Sequence, residues 1–382
     1  MTASGKKILI VTGEASGDLH GSEVAGVLKT LSPEVKLFAM GGEKLRLAGA
    51  EIIVDSSSLA VVGVTEAIGR LKTIRRALAR MKGFLRREKP DLMILIDFPD
   101  FNLRLARAAK REGIPVLYYI SPQVWAWRPG RVKTLARLVE KMAVIFPFEV
   151  PLYEAAGVPV EFVGHPLLDT LEKWEAGRGA KEFSGEPLIT LLPGSREKEV
   201  SALLPEMIRA AEFLRQKRPR AHFVLPLAST IRREEVEKFI PAGFPALTIV
   251  EGKTYAALAA ADLAIVASGT ATLETAILGR PMVIVYRVSF PSYWIGRLLI
   301  RVPCVGLANI VAGKKIVPEL IQKEACGENM AAEALKILSD SKYREGMEAD
   351  LAGIRKKLGE SGAAGRVARI ALNLAGAATV RP

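Results

Sequence analysis

Short runs that are apolar at every position recur along almost the whole chain and alternate with helical patterns. Leu92–Ile96 reads LMILI and Leu263–Ala267 reads LAIVA. A strand with no polar face must be covered on both sides, as crossover helices cover a parallel sheet. The alternation therefore predicts βαβ units. In the first half the expected strands are Lys7–Thr12, Val35–Met40, Glu51–Val54, Leu92–Asp97, Val116–Ser121, Met142–Phe146 and Glu161–Val163. In the second half they are Leu188–Leu192, Ala221–Pro226, Leu247–Val250, Leu263–Ala267 and Met282–Tyr286. Between the sets, Asp169–Glu186 is charged, Gly-rich and without strand character, which reads as a linker. From about Glu328 the pattern is purely helical and ends in the Ala-rich stretch Ala363–Ala375. The expected fold is α/β, with two facing Rossmann-like doubly wound domains over residues 1–168 and 187–345. A helical tail over 346–382 would cross back onto the first domain or exchange between subunits of a homodimer. Ligands of such sheets bind at the carboxyl ends of the strands.

A chain of 382 residues suits two domains of this size. The 54 Lys and Arg outnumber 41 Asp and Glu, and the net +13 calls for an anionic partner: nucleic acid, a membrane surface or phosphorylated substrates. Two cysteines, Cys304 and Cys326, exclude a disulfide scaffold and fit a reducing compartment. With only His20, His165 and His222 beside them, a zinc site is not expected. The longest charge-free stretch, Gly113–Trp127, contains Pro115 and Pro122 and falls short of the ~20 apolar residues a spanning helix needs. Glu14 and Asp18 follow the apolar Ile8–Val11 too early for a signal peptide. The expectation is a cytoplasmic protein whose membrane contact is peripheral.

Five loops at expected strand ends carry residues suited to chemistry. Gly13–Gly21 (GEASGDLHG) lets the backbone approach a ligand, but Glu14 and Asp18 would repel a pyrophosphate there. No acidic residue ends the second strand to hold a ribose, so a dinucleotide fingerprint is rejected. Asp18 could cap the helix while Glu14 and Ser16 face the crevice. Asp97, in IDFPDFN, ends an apolar strand beside Phe98 and Phe101, where partial desolvation would raise its carboxyl towards general-base use. Asp100 is the better helix cap of that pair. The loop Ser121–Arg128 (SPQVWAWR) offers Gln123, Trp125 and Arg128 for sugar stacking, an acyl-chain wall or domain packing. Gly194, Ser195 and Arg196 open a helix after Leu188–Leu192, and Ser268, Gly269 and Thr270 do so after Leu263–Ala267. Together they make a cradle for a nucleoside diphosphate, with Glu274 one turn on as acceptor for a ribose hydroxyl. Neither is a Walker A loop.

Val64, Ala67, Ile68, Leu71, Ile74, Leu78 and Met81 recur at helical spacing, while Arg70–Lys89 carries nine basic residues, Arg75 and Arg76 among them, and one acidic residue. A helix basic on one face and apolar on the other reads as a membrane-surface element. The stretch Tyr293–Arg301 is a second candidate contact. Nucleic acid is disfavoured, because the basic run carries only Phe84 for base stacking.

Taken in serial order, GEASGD (13–18), IDFPDFN (96–102), YISPQVWAWR (119–128), FPFE (146–149), FVGHP (162–166), LLPGSR (191–196), SGTATLE (268–274), PMVIVYR (281–287) and LANIVAG (307–313) resemble lipid-A-disaccharide synthases, glycosyltransferases of the two-Rossmann "B" fold. The resemblance implies an inverting, metal-independent transfer of 2,3-diacylglucosamine from UDP to 2,3-diacylglucosamine 1-phosphate, without cofactor. The products would be a β-1,6 disaccharide and UDP, made at the inner face of the inner membrane in a Gram-negative envelope. It implies Asp97 as general base, with Glu14 or His20 as rivals, and places Glu14 and Ser16 on the acceptor side. Arg196 and Ser268–Thr270 would hold diphosphate, Glu274 the ribose, Asn309 a polar place in the crevice, and Val64, Ile68 and Leu71 membrane or acyl chains. Alternatives are another UDP-sugar enzyme of this fold, such as an epimerase or polyprenyl-linked sugar transferase, and a non-catalytic basic lipid-binding protein.

Overall fold

A computed structural model describes residues 5–56, 67–127, 130–177, 182–241, 244, 246–288 and 303–377, with only the backbone of residues 67–71 and 377. The chain forms two compact units. One comprises Met1–Asp169 with Gly359–Pro382, the other Thr170–Leu358.

The first unit holds a seven-stranded sheet: β1 Lys7–Val11, β2 Lys36–Gly41, β3 Glu51–Asp55, β4 Leu92–Ile96, β5 Val116–Tyr119, β6 Lys141–Val144 and β7 Val160–Phe162. Its order is β3-β2-β1-β4-β5-β6-β7, with every pairing parallel. The second unit holds β8 Leu188–Leu192, β9 His222–Leu227, β10 Leu247–Glu251, β11 Leu263–Ala267, β12 Met282–Tyr286 and β13 Glu319–Ile321. They pair in parallel in the order β10-β9-β8-β11-β12-β13. Both are doubly wound Rossmann-like sheets, in which the order of strand addition reverses between β1 and β4 and between β8 and β11 while all strands stay parallel.

The central strands β4, β8 and β11 are buried at every position. Thr190, the one polar residue among them, donates its hydroxyl to the Ala257 carbonyl at 3.1 Å. The strand missed by the sequence pattern is β13. Among the described residues it pairs only with β12, over three residues, and it is too short to show a period.

The expected linker and tail need correction. Asp169–Ala176 lies in the helix Pro166–Ala176, where Leu167, Leu168 and Leu171 are buried, so apolar spacing prevails over the charged residues between them. The chain passes from one unit to the other inside that helix, at Asp169/Thr170. The tail divides at Leu358/Gly359. Helix Ser341–Lys357 buries Met347, Leu351 and Ile354 in the second unit. Helix Ala363–Ala377 packs on α1 (Ala15–Leu31) of the first unit, and Asp169 caps it by accepting from the N–H groups of Gly362 and Ala363.

α2 spans Glu43–Leu47 and α3 spans Ala67–Glu88. The apolar stripe of α3 is not presented to a membrane over its described length. Ala77, Met81, Phe84 and Leu85 are buried, and Ile74 and Leu78 pack against the same core. The exposed face carries Lys72, Arg75, Arg76, Arg80, Arg86 and Arg87. Val64 and the side chains of Ile68 and Leu71 lie outside the described residues, as do Arg128 and Tyr293–Arg301.

Candidate active site

In the first unit the loops after β1 and β4 flank the switch point, and they interlock. A Cβ on Gly13 would stand 2.2 Å from Cγ of Phe98, so the ring rests on bare backbone. Phe98 also stacks on Phe101, with centroids 5.5 Å apart. Asp97 and Phe98 both adopt left-handed backbone (φ 43° and 46°), and Ile120, at the end of the neighbouring β5, does the same at 58°. Such conformations are costly for non-glycine residues, most of all β-branched ones, and cluster at functional sites. The strain is held by the Asp97 carbonyl, which accepts from Asn102 Nδ2 and Tyr118 Oη, each at 2.6 Å. The Asp97 side chain itself reaches solvent. Surrounding protein still removes enough water to push its carboxyl above the usual range, and the Glu14 carboxylate pushes it further.

Glu14 and Ser16 are exposed at the start of α1. Asp18 is not open to a ligand. It is buried and accepts from the N–H groups of Gly42 (2.6 Å), Lys44 (3.0 Å) and Leu45 (3.4 Å), so it ties α1 to the start of α2. His20 Nδ1 lies 3.5 Å from a Glu23 carboxylate oxygen. His165, which accepts from the Leu167 N–H at 3.2 Å, is driven by burial and by His20 down to about 3 and stays neutral.

Gln123 is exposed. Trp125 meets Phe148 edge-on at 5.3 Å and Phe146 at 6.5 Å, so it is packed within its own unit. Beneath that loop lies Glu149, buried, accepting from the Phe146 N–H at 3.1 Å. Burial pushes its carboxyl up to about 7, with Ser121 and Trp125 offsetting part of the rise.

In the second unit, Gly194–Arg196 after β8 and Ser268–Thr270 after β11 again flank the switch point, and they line one pocket of about 320 Å³ with Glu274. The helices Glu197–Lys217 and Thr270–Ile277 both begin at it, offering N–H groups and positive dipole ends to an anion. Gly194 has φ 117°, and a Cβ there would meet the Glu199 carboxylate at 2.6 Å. Glu274 is mostly buried and accepts from Tyr255 Oη at 2.9 Å, and burial raises its carboxyl. An adjoining pocket of about 870 Å³ along the ends of β9 and β10 shares Ala228, Thr254 and Glu274.

Asn309 departs from its expected place in the crevice. It is buried, with Oδ1 accepting from the N–H groups of Ile316 and Val317 and Nδ2 donating to the Val317 carbonyl and to Glu319. Glu319 also accepts from the N–H groups of Val305 and Gly306. The Val305 carbonyl in turn takes the Ser268 hydroxyl at 2.8 Å, so Asn309 braces the Ser268–Thr270 turn from behind.

A family model described as lipid-A-disaccharide synthetase matches residues 8–369. Among curated proteins, the lipid-A-disaccharide synthase of Syntrophus aciditrophicus is 48% identical over 377 residues, covering 97% of this chain and 98% of its own. That of Geobacter metallireducens is 47% identical, covering 98% and 99%. The chain belongs to the lipid-A-disaccharide synthase family. Its fold is that of GT-B glycosyltransferases and the epimerases related to them. The calicheamicin glycosyltransferase CalG4 aligns over 99% of this chain and 100% of its own with a TM-score of 0.63 at 16% identity. A UDP-GlcNAc 2-epimerase from Neisseria meningitidis, solved with UDP-GlcNAc, covers 96% of this chain and 100% of its own, also at 0.63 and 16%. At that identity the likeness is one of fold, and family membership separates a synthase from an epimerase.

Sequence reasoning missed Tyr118, Glu149, Glu199, Tyr255 and Glu319. Glu199, an acidic residue in the first turn of the helix that follows Arg196, carried a helix-start signal. Tyr255 and Glu319 carried none, because their partners come from elsewhere in the chain.

Proposed function

We propose that this chain transfers 2,3-diacylglucosamine from UDP to the 6-hydroxyl of 2,3-diacylglucosamine 1-phosphate, giving the β-1,6-linked lipid A disaccharide and UDP. The observation that carries this reading is the end-to-end match to lipid-A-disaccharide synthases, 48% identical over 97% of the chain. Asp97 acts as general base. Its raised carboxyl and strained position at the β4 edge suit a group poised to accept a proton. As the acceptor oxygen bonds to the anomeric carbon, its proton passes to Asp97 and the anomeric C–O bond breaks with inversion. The electron pair leaves on the UDP diphosphate. Arg196, the Ser195 N–H and the two helix starts of the second unit meet that charge, as preorganised donors do. Glu274, oriented by Tyr255, accepts from a ribose hydroxyl. Glu14 and Ser16 serve the acceptor side.

Both substrates carry phosphate and acyl chains, which supports action at the cytoplasmic face of the inner membrane. The exposed basic face of α3 suits anionic headgroups. Among the described residues no helix is long and apolar enough to cross a membrane.

The test supplies UDP-diacylglucosamine and diacylglucosamine 1-phosphate and follows disaccharide and UDP by mass spectrometry. Stoichiometric formation of both is expected. UDP release without disaccharide, or no turnover, would remove the synthase reading.

A further inference from the structure

A side chain of the protein itself, Glu199, reaches into the pocket proposed as the donor site. Glu199, in the first turn of helix Glu197–Lys217, bends its carboxylate back over the β8 loop. One oxygen accepts from the Ser195 N–H at 3.3 Å and the other from the Arg196 guanidinium at 2.7 Å. The side chain lies over Gly194, where even a Cβ would meet it at 2.6–2.8 Å, and it lines the same pocket as Ser268 and Thr270. Two of the donors a diphosphate would use, the Ser195 N–H and the Arg196 guanidinium, are thus engaged by this carboxylate.

We propose that Glu199 is a gate carboxylate of the donor site: it occupies the diphosphate cradle when the site is empty and swings out as a nucleoside diphosphate enters. This rests on the donor-site reading given above. The Ser195 N–H points to one acceptor at a time, and a phosphate oxygen beside an unmoved carboxylate would meet a like charge within a few ångströms. The bond to Arg196 is weak enough to exchange, since that guanidinium is 78% exposed and such pairs contribute little. A diphosphate, with more charge and more acceptor oxygens, displaces it. After transfer the returning carboxylate competes with UDP for the same groups and speeds its release.

Glu199→Gln keeps the shape and removes the charge. Titrating UDP calorimetrically into the full chain should show Kd falling on the order of tenfold against wild type. In turnover, donor KM and kcat should fall together, because UDP leaves more slowly. A purely structural role at the helix start would weaken binding and raise KM. Glu197→Gln, an exposed carboxylate of the same turn, controls for bulk charge and should change Kd less than about twofold. If wild type binds UDP and Glu199→Gln binds it no more tightly, or Glu197→Gln tightens binding as much, the gate is refuted and the donor site stands. If wild type and variant both fail to bind UDP, the donor-site reading falls and the gate with it.

Discussion

Asp97→Asn separates the charge of the proposed base from everything else Asp97 does. Asparagine tolerates left-handed backbone, so φ 43° costs it little. The bonds that fix the turn, from Asn102 and Tyr118, go to the Asp97 carbonyl, which the variant keeps. The variant loses only the ability to take a proton. General-base catalysis contributes about 10²–10⁴-fold, so kcat should fall by that factor, or about 3–5 kcal/mol of barrier. Stability should move the other way. Burial and Glu14 raise the carboxyl in the folded state, so its contribution is full below the ordinary carboxylate pKa and is lost as pH rises through the raised value. At neutral pH the ionised group burdens the fold, and Asn should leave Tm unchanged or higher. The acid limb of kcat/KM should lie above the ordinary Asp value of ~4, and Glu14→Gln should lower it. UDP release measured across pH, with calorimetric Tm at pH 7, reads all of this. An Asp97→Asn enzyme within tenfold of wild-type kcat, at equal Tm, would refute Asp97 as the base.

Glu149 has a folded pKa of about 7 against 4.5 for a free carboxyl, so stability should be full below pH 4.5 and decline towards pH 7, by at most about 3 kcal/mol. Urea unfolding of wild type should show the decline and Glu149→Gln should flatten it; parallel curves would contradict the burial argument. Asn309→Ala strips the acceptor from the buried N–H groups of Ile316 and Val317, at about 1–3 kcal/mol each. It should lower unfolding free energy by that sum and raise donor KM through the loosened Ser268 tie. Reversing Arg75, Arg76 and Arg80 to Glu should abolish low-salt binding to phosphatidylglycerol vesicles while Tm stays within a degree or two, since these side chains lie on the exposed face. Undiminished binding would assign membrane contact elsewhere.

Twelve of the thirteen strands seen among the described residues were legible in the chain: central strands because a strand covered on both faces must be apolar throughout, and the part-buried β3, β7 and β10 because short β-rich runs alternate with helical patterns. The loops at both switch points were legible for the same reason: they follow those strands directly. Helix α3 shows the limit. Its two faces could be read from spacing, but a membrane and a protein core ask for the same apolar stripe, and only the packed partners decide that Met81, Phe84 and Leu85 face the core.

The polar residues divide the same way. Sequence alone singled out Asp97, Arg196 and Glu274 by their places after strands, and the structure keeps Asp97 and Arg196 beside those strand ends and Glu274 in the helix that follows β11. It also singled out Asp18, whose carboxylate is spent on backbone 24–27 residues away, and Asn309, whose amide is spent on backbone and on Glu319. Tertiary structure alone decided which polar groups remain open, and it supplied Tyr255 for Glu274 and Glu319 behind the Ser268–Thr270 turn. Strand and helix patterns arise from periods a few residues long. A hydrogen bond's partner is set by where distant segments meet, and no local pattern carries that information.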